Sequence, residues 1–431
     1  MRRLCIALVC VPALAWAGND ESLSLGDDAA LKGNAVAATV GDGSSLVYNP
    51  AGLAGAERDL VQVDGTVILL TVNHVPDLVT TTAGDAGDGS FAGLSSLPTA
   101  ASLVLTLRPD LRLGLGLFSL DSSAATVDVP VEREGGAWRV TTTGEDSIYF
   151  ASAGLGWRAA PAFRLGGSLS LVYVEELGMA TAWSRTTEGG TTEMLGLGQV
   201  RSVSALGLTA TLGAQWEVAP GWHLGLGVRA PMVLFLTALS GSEVTSLSST
   251  EPPSADLNQT DLLEATWGLH QFRPLRARLG AAWKSGRTEV TVEGEVQPPM
   301  GAGDLTRERE LTFNVRAGAI VPLTATQSLG FGAFTDLSPD TQPESLIESA
   351  IDFYGLCAGW RLDRPHGIGP GGKAPTLFFR FTLALRYTYG VGHVGGFEFA
   401  VTPTGGMPGE IRAAEARVHD LAVHIGSSVY F

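Results

Sequence analysis

The feature that most constrains this chain is an alternation of period two. Leu111 to Phe118 reads Leu-Arg-Leu-Gly-Leu-Gly-Leu-Phe, with leucine at every odd position. Phe163 to Tyr173 sets Phe163, Leu165, Leu169, Leu171 and Tyr173 against Arg164, Gly166, Ser168 and Ser170. Trp222 to Arg229 sets Trp222, Leu224, Leu226 and Val228 against His223, Gly225, Gly227 and Arg229. Successive side chains of a strand point to opposite faces, so each run is a strand with one apolar face and one small, polar or charged face. Beyond the first 17 residues there is no unbroken apolar run of about 18 residues able to cross a bilayer as a helix. A chain with 45% hydrophobic residues and 55 glycines is compatible with both facts if every other residue of a closed barrel faces lipid.

Fourteen such runs are legible: Leu60 to Asn73, Leu97 to Leu107, Leu111 to Leu120, Ser147 to Trp157, Phe163 to Val174, Ser202 to Val218, and Trp222 to Phe235 make the first seven. Arg273 to Trp283, Thr288 to Val296, Glu310 to Val321, Ser328 to Leu337, Phe353 to Leu362, Leu377 to Tyr389 and Val418 to Phe431 make the rest. The even number returns the chain to its starting side, as in bacterial outer-membrane barrels. The connections alternate between short and long. Arg108 to Asp110, Arg158 to Ala162, Ala219 to Gly221, Lys284 to Arg287 and Pro322 to Gln327 are short and are expected to face the periplasm. Val75 to Ser96, Asp121 to Asp146, Glu175 to Arg201 and Leu236 to Phe272 are long and are expected as extracellular loops. Asp363 to Thr376 breaks the rule, being long where a short turn is due. Trp157, Trp216, Trp222, Trp283 and Trp360 all fall near the short connections and share the apolar parity, the pattern of an aromatic girdle at one membrane interface.

The start of the chain reads differently. Arg2 and Arg3, an apolar run from Leu4 to Trp16 and Ala15-Trp16-Ala17 make residues 1–17 a signal peptide. Its removal takes Cys5 and Cys10 and leaves Cys357 as the one cysteine, so neither an internal disulfide nor a cysteine metal cluster is expected. It also removes two arginines, taking the net charge from -16 to -18 (-16 less 2), which excludes a nucleic-acid partner because phosphate binding needs a basic surface. The seven histidines have no metal-ligand spacing, Gly390 to Gly395 matches the dinucleotide fingerprint without a βαβ unit around it, and no catalytic set is identifiable. No cofactor, metal or enzyme activity is expected.

Ser44 to Gly55 is the punctuation between these two parts. Pro50 disfavours a helical Asn49 and removes a backbone donor. The tract Gly33-x-Ala35, Asp42, Ser45 and Tyr48-Asn49-Pro50-Ala51-Gly52-Leu53-Ala54, placed just before the first strand, resembles the FadL family of outer-membrane transporters for long-chain fatty acids and other hydrophobic compounds. The fold the resemblance implies is all-β: a 14-stranded antiparallel transmembrane barrel, residues 60–431 with long extracellular loops, holding an N-terminal plug or hatch, residues 18–59, inside the lumen. The plug motif matches at Asn49, Pro50 and Ala51. The implied mechanism is capture by the loops after the fifth and seventh strands, passage to a lumenal pocket, and lateral release at a kinked third strand. The second loop supplies the ligand-binding candidates Leu236, Leu239, Leu262, Leu263 and Trp267.

Physics agrees with hydrophobic cargo. Fourteen strands enclose more than side chains alone fill and less than an open porin channel, so a plug of roughly forty residues suits the bore. Each methylene buried in an apolar pocket gains about 0.8 kcal/mol. Parity puts Arg164, Arg229, Arg276, Arg278, Arg316, Arg380 and Arg386 inside with Glu289, Glu293 and Glu295. Arg276, Arg316 and Arg386 are candidates for a ligand carboxylate; the alternative for each is a glutamate pair that holds plug to wall. The expected partners are fatty acids or aromatic hydrocarbons, outer-membrane lipid and lipopolysaccharide, and the barrel-assembly machinery, reached through a last strand ending in Phe431. The chain is expected to be a monomer. The alternative reading is a non-transporting barrel that serves as adhesin or assembly platform through its loops.

Overall fold

The structure, a computed structural model, describes residues 23–134, 136–188, 191–250, 253–302, 308–343, 345–346, 348–366, 377–399 and 409–431. The signal-peptide segment therefore lies outside the described residues. Three short helices come first: α1 (Asp27–Lys32), α2 (Ser45–Tyr48) and a 3-10 turn, Pro50–Gly55. Strand segments follow as β1 (Leu60–Thr81), β2 (Ala86–Arg108), β3 (Leu111–Arg133), β4 (Gly136–Ala160), β5 (Phe163–Glu188), β6 (Thr191–Ala219), β7 (Trp222–Arg229) and β8 (Met232–Thr250). The remainder are β9 (Pro253–Arg273), β10 (Arg276–Ser285), β11 (Thr288–Gln297), β12 (Thr312–Pro322), β13 (Gln327–Asp336), β14 (Ser349–His366), β15 (Leu377–Phe399) and β16 (Gly409–Tyr430).

All sixteen segments belong to one sheet, and β5 joins β6 to close it. Two wall strands are each broken in two. Pro231 lies between β7 and β8, and Pro274 between β9 and β10; proline has no ladder donor, so the pairing restarts on either side. The lower halves pair from Arg229 opposite Arg276, and the upper halves from Met232 opposite Arg273. The wall is thus a closed 14-stranded antiparallel barrel. Every neighbouring pair around the ring is antiparallel. Near the top the tip of β1 leaves β16 and runs parallel to β15, with Val79 opposite Phe397, which folds the rim inward. Among the described residues no helix is long and apolar enough to cross a membrane.

The wall is much taller on one side than lipid requires. β4 has 25 residues and β6 has 29, against the 9–11 that cross a bilayer, whereas β10 to β13 have 10 or 11. At about 3.3 Å per residue, β4 is roughly 80 Å long. The four segments expected as long extracellular loops are therefore mostly strand. Their alternation continues, but its phase inverts. In the lower part of β4, Leu155 and Trp157 point outward and are exposed, while Ser152 is buried on the lumen side. Above Tyr149 the outward residues are Ser147, Glu145, Thr143 and Thr141, and the buried ones include Ile148, Val140 and Trp138 along with Thr142 and Asp146. β5 does the same, its inner face passing from Ser168 and Ser170 to Val172, Val174, Ala180 and Ala182.

The reason is a change of solvent outside the wall. Against lipid the outer face is apolar; beyond lipid the outer face meets water and the inner face becomes a core. The boundary is marked by Tyr149 and Tyr173, directly paired across β4 and β5 with rings 6.3 Å apart and both exposed. Trp157 is eight positions below Tyr149 in β4, about 26 Å along the strand. With a tilt of roughly 40° that is about 20 Å of height, close to the apolar band of an outer-membrane barrel. Trp157, Trp216, Trp222 and Trp283 all lie exposed at the lower edge.

Position relative to this boundary decides the effect of an outward charge. Leu169 lies mid-band and is 57% exposed, so Leu169→Arg is expected to cost about 2–4 kcal/mol. Thr181, outward on the same strand but above Tyr173, is expected to accept arginine within about 0.5 kcal/mol. Denaturant titration of folding into lipid vesicles measures both.

Candidate functional site

The segment from Leu23 to Ala56 lies inside the barrel, and most of its residues are buried. Its helices are too short to be stable alone, so what holds them is the wall. Asp28 reaches Arg361 of β14 at 2.9 Å, and the Asp27 carboxylate accepts from Ser428 of β16 at 2.8 Å. Lys32, completely buried, donates to Glu289 of β11 at 2.5 Å and lies 3.7 Å from Asp28. Burial works against the Lys32 ammonium, but Glu289 and Asp28 outweigh it and hold its pKa above the ordinary lysine value.

The three-residue motif pins the other end. The Asn49 side-chain amide donates to Ala37 O at 2.7 Å within the segment and to Ala214 O of β6 at 3.0 Å, while its carbonyl accepts from Ala51 N. Pro50 starts the 3-10 turn, where its missing N–H costs nothing. The chain then presses flat on the wall. A Cβ on Gly166 would come 2.2 Å from Pro50 C, and one on Gly213 1.9 Å from Asn49 Oδ1. The glycines that alternate with leucine thus have a purpose on the lumen face: they let the segment's backbone approach the strands.

A buried charge cluster faces the same segment. Arg278 Nη2 lies 2.7 Å from Glu295, and Arg316 contacts Glu295 at 3.2 Å and 3.4 Å. Arg276 stands 3.9 Å from Glu295. Glu293 accepts from the backbone N–H groups of Val36 at 2.9 Å and Ala37 at 2.7 Å, and Arg278 and Arg316 flank it at 3.9 Å and 3.8 Å. Arg276 and Arg316, candidates for a ligand carboxylate, are in this structure engaged by the glutamates of the neighbouring strand. Arg386 lies over the Phe334 ring and donates to Ser24 at 3.4 Å, so it touches the start of the lumenal segment.

Above Tyr48 the lumen holds a buried apolar cluster, with Arg229, Arg273, Asp146 and Glu176 also buried among the wall residues. Leu46, Val47, Tyr48 and Leu53 form one buried cluster with Phe118, Leu120, Ile148, Phe150, Val172, Met232 and Phe272 from the wall. Within it Leu120, Ile148 and Met232 line a narrow cavity with Arg229, Arg273 and Arg276, at the level of the proline breaks. Its free space is about 20 Å³, room for one water, so anything larger passes only when these walls move. Arg229 donates to Val47 O at 3.0 Å. A second buried cluster, including Val79, Trp138, Phe397 and Phe399, fills the taller part above.

Beside this cavity the wall is unzipped. The β2–β3 ladder ends at Ala100 opposite Phe118, although both strands continue upward, β2 paired to β1 and β3 to β4. β3 carries a bulge at that level, between Ser119 and Asp121, where Leu120 turns inward and is 2% exposed. Just below, outside the wall, Leu103, Leu115, Leu117, Leu169 and Leu171 surround a depression of about 680 Å³.

The ligand candidates of the expected seventh-strand loop sit on the β8–β9 hairpin. Leu236 faces Trp267 and Ser240 faces Leu263 in the ladder. Leu263 is 87% and Trp267 77% exposed, while Leu236 and Leu239 are half-buried. Leu262 faces Gly241. The structure does not bring these residues together with the arginines. Sequence reasoning missed Leu120, Met232 and Arg273, whose signal is the apolar parity switching to the inner face.

Among solved structures, the chain is similar over 96% of its length to a Pseudomonas aeruginosa FadL homologue, with 12% identity, 99% of that chain covered and a TM-score of 0.58. It is similar over 95% to the P. putida toluene transporter TodX, with 15% identity, 99% coverage and a TM-score of 0.59. The monoaromatic hydrocarbon channel CymD gives 12% identity, 95% and 98% coverage and a TM-score of 0.56. At these identities the likeness establishes a shared fold. No protein-family model and no curated protein matches the sequence.

Two substitutions test how the segment is held. Glu293→Ala leaves two buried backbone donors unpaired and removes one of the two carboxylates that compensate buried Arg278 and Arg316, and is expected to cost about 3–5 kcal/mol. Gly166→Val drives a side chain into Pro50 and is expected to cost about 1–3 kcal/mol. Chemical denaturation in detergent reads both losses, and planar-bilayer recording is expected to show larger conductance steps than wild type as the segment loosens.

Proposed function

We propose that this chain, which has the fold of the FadL-type channels, is an outer-membrane channel for passive uptake of long-chain fatty acids or other hydrophobic molecules. The observation that carries this reading is the buried apolar cluster on the inner face, from Phe118 and Leu120 to Phe150 and Met232. The interior of a water-filled porin is polar, and an apolar lumen offers nothing to ions or sugars. It does lower the free energy of a hydrocarbon chain by about 0.8 kcal/mol per methylene.

Residues 18–59 act as the plug and residues 60–431 as the wall. Exposed Leu263 and Trp267 on the β8–β9 hairpin, together with Leu236, Leu239 and Leu262, make first contact with cargo outside. The molecule moves down the apolar lumen to the cavity at Leu120 and Met232. It leaves sideways between β2 and β3, where no backbone hydrogen bonds above Ala100 and Phe118 have to break, towards the leucine-lined depression on the outer surface. A fatty-acid carboxylate would compete with Val47 O for Arg229 and with Glu295 for Arg276. An uncharged aromatic needs neither. No chemical step is required of the protein.

The rival reading, an adhesin or assembly platform, draws on β9, which among the described residues pairs only with β8 and carries exposed Leu263, Trp267 and Leu269. Uptake assays separate the two. Cells lacking their own fatty-acid channel are expected to take up labelled oleate or toluene when supplied with this chain, and Met232→Trp, which fills the cavity, lowers that uptake at least tenfold while the barrel stays heat-modifiable. Arg276→Gln is expected to lower oleate uptake and leave toluene uptake within twofold. Steady ion conductance with no uptake of either compound sinks the transport reading.

A further inference from the structure

Three side chains remote in sequence meet where α1 lies against the closing seam of the barrel. Asp27 opens α1, Asp64 belongs to β1 and His424 to β16. Each offers a ligand atom, and these atoms lie within 4.8 Å of one another. The three residues are 1%, 2% and 5% exposed. Asp27 Oδ1, both carboxylate oxygens of Asp64 and both ring nitrogens of His424 are buried without a hydrogen-bond partner among the described residues, and His424 Nε2 stands 3.8 Å from Asp64 Oδ1. A buried carboxylate whose neighbouring donor, the Gln62 amide, makes no bond of normal geometry to it, beside an imidazole with no partner at either nitrogen, lacks the compensation that buried polar groups have almost everywhere else.

The backbone is shaped around this point. Asp64 faces Gly426 in the β1–β16 ladder, and a Cβ at 426 would come 2.2 Å from Asp27 Oδ1 and 2.5 Å from Asp64 Oδ1. Directly above the rung that pairs Thr66 with His424, the ladder carries a bulge between Thr66 and Ile68, a device that re-aims neighbouring side chains. The second oxygen of Asp27 is fixed by Ser428 at 2.8 Å, which leaves Oδ1 pointing at the other two groups.

We propose that Asp27, Asp64 and His424 bind one divalent transition-metal ion, of the Zn²⁺ or Mn²⁺ kind, that ties the lumenal segment to the seam between the first and last strands. Two carboxylates balance the ion's charge. One imidazole nitrogen with carboxylate oxygens suits this class, while Ca²⁺ and Mg²⁺ take oxygen ligands. Ligands with bonds of about 2.1 Å lie at most about 4.2 Å apart, so the groups close by roughly half an ångström around the ion. The site is a latch: its ligands come from both bodies it joins, and it has no bearing on which cargo passes. It stands independently of the transport reading.

The test uses the full mature chain in detergent, stripped with chelator, reloaded with Zn²⁺ or Mn²⁺ and desalted. Elemental analysis is expected to find one ion per wild-type chain, and calorimetry to show binding at least a hundredfold weaker in Asp64→Asn and in His424→Gln. The melting temperature of wild type rises with the ion, and that of the variants does not. Wild type that retains no ion, or folded variants that retain it fully, overturn the proposal. Should a variant fail to fold, the visible spectrum of Co²⁺-loaded wild type decides: bands of a nitrogen- and oxygen-ligated site support the latch, and the spectrum of aqueous Co²⁺ overturns it.

Discussion

Backbone N–H and C=O groups facing hydrocarbon have no water to bond, and the whole architecture follows from satisfying them. A sheet with free edges cannot do so, which is why β1 pairs along most of its length with β16, Leu60 to Tyr430 and on to His74 with Arg417. Closure with fourteen strands then creates a second problem, a bore too wide for side chains to fill. The N-terminal segment fills part of it, and several of its own backbone groups are satisfied by the wall: Glu293 takes the N–H groups of Val36 and Ala37, Ser168 donates to Leu46 O, and Arg229 donates to Val47 O. Lumen-facing glycines bring the two backbones close enough for these bonds to form.

The same wall meets two solvents, and the inversion at Tyr149 and Tyr173 is where they meet. Below it the chain is inside-out, apolar on the surface and polar within, with Arg278, Arg316, Glu293 and Glu295 buried as a mutually compensating group. Above it the chain resembles an ordinary water-soluble β-protein with Trp138, Phe397 and Phe399 in its core.

Two neighbouring places in the ring depart from regular pairing, in opposite senses. At β2–β3 the ladder stops, and near it lies a small cavity lined by Leu120, Ile148 and Met232 with three arginines. At β1–β16 the ladder is continuous but bulged, and unpaired polar atoms from both sides of the plug–wall boundary converge. One place lacks a ladder between its two strands above Ala100 and Phe118, and the other brings polar groups of the lumenal segment and of both strands together.

Period two is a consequence of covalent geometry within a few residues, so the sequence alone determined the strand count, the outward parity of Trp157 and Trp283, and the inward parity of the arginines and glutamates. It also marked Asn49-Pro50-Ala51 as a bend. It did not determine where strands end: the alternation was legible through Thr141 and Ala180, but its phase reversal resembles a loop unless the position of the lipid boundary is known. The halt of the β2–β3 ladder, the inward turn of Leu120 and the meeting of Asp27, Asp64 and His424 were decided only by tertiary structure. They depend on register around a closed ring and on the docking of the plug, which join residues nearly 400 positions apart by contacts that no local pattern encodes.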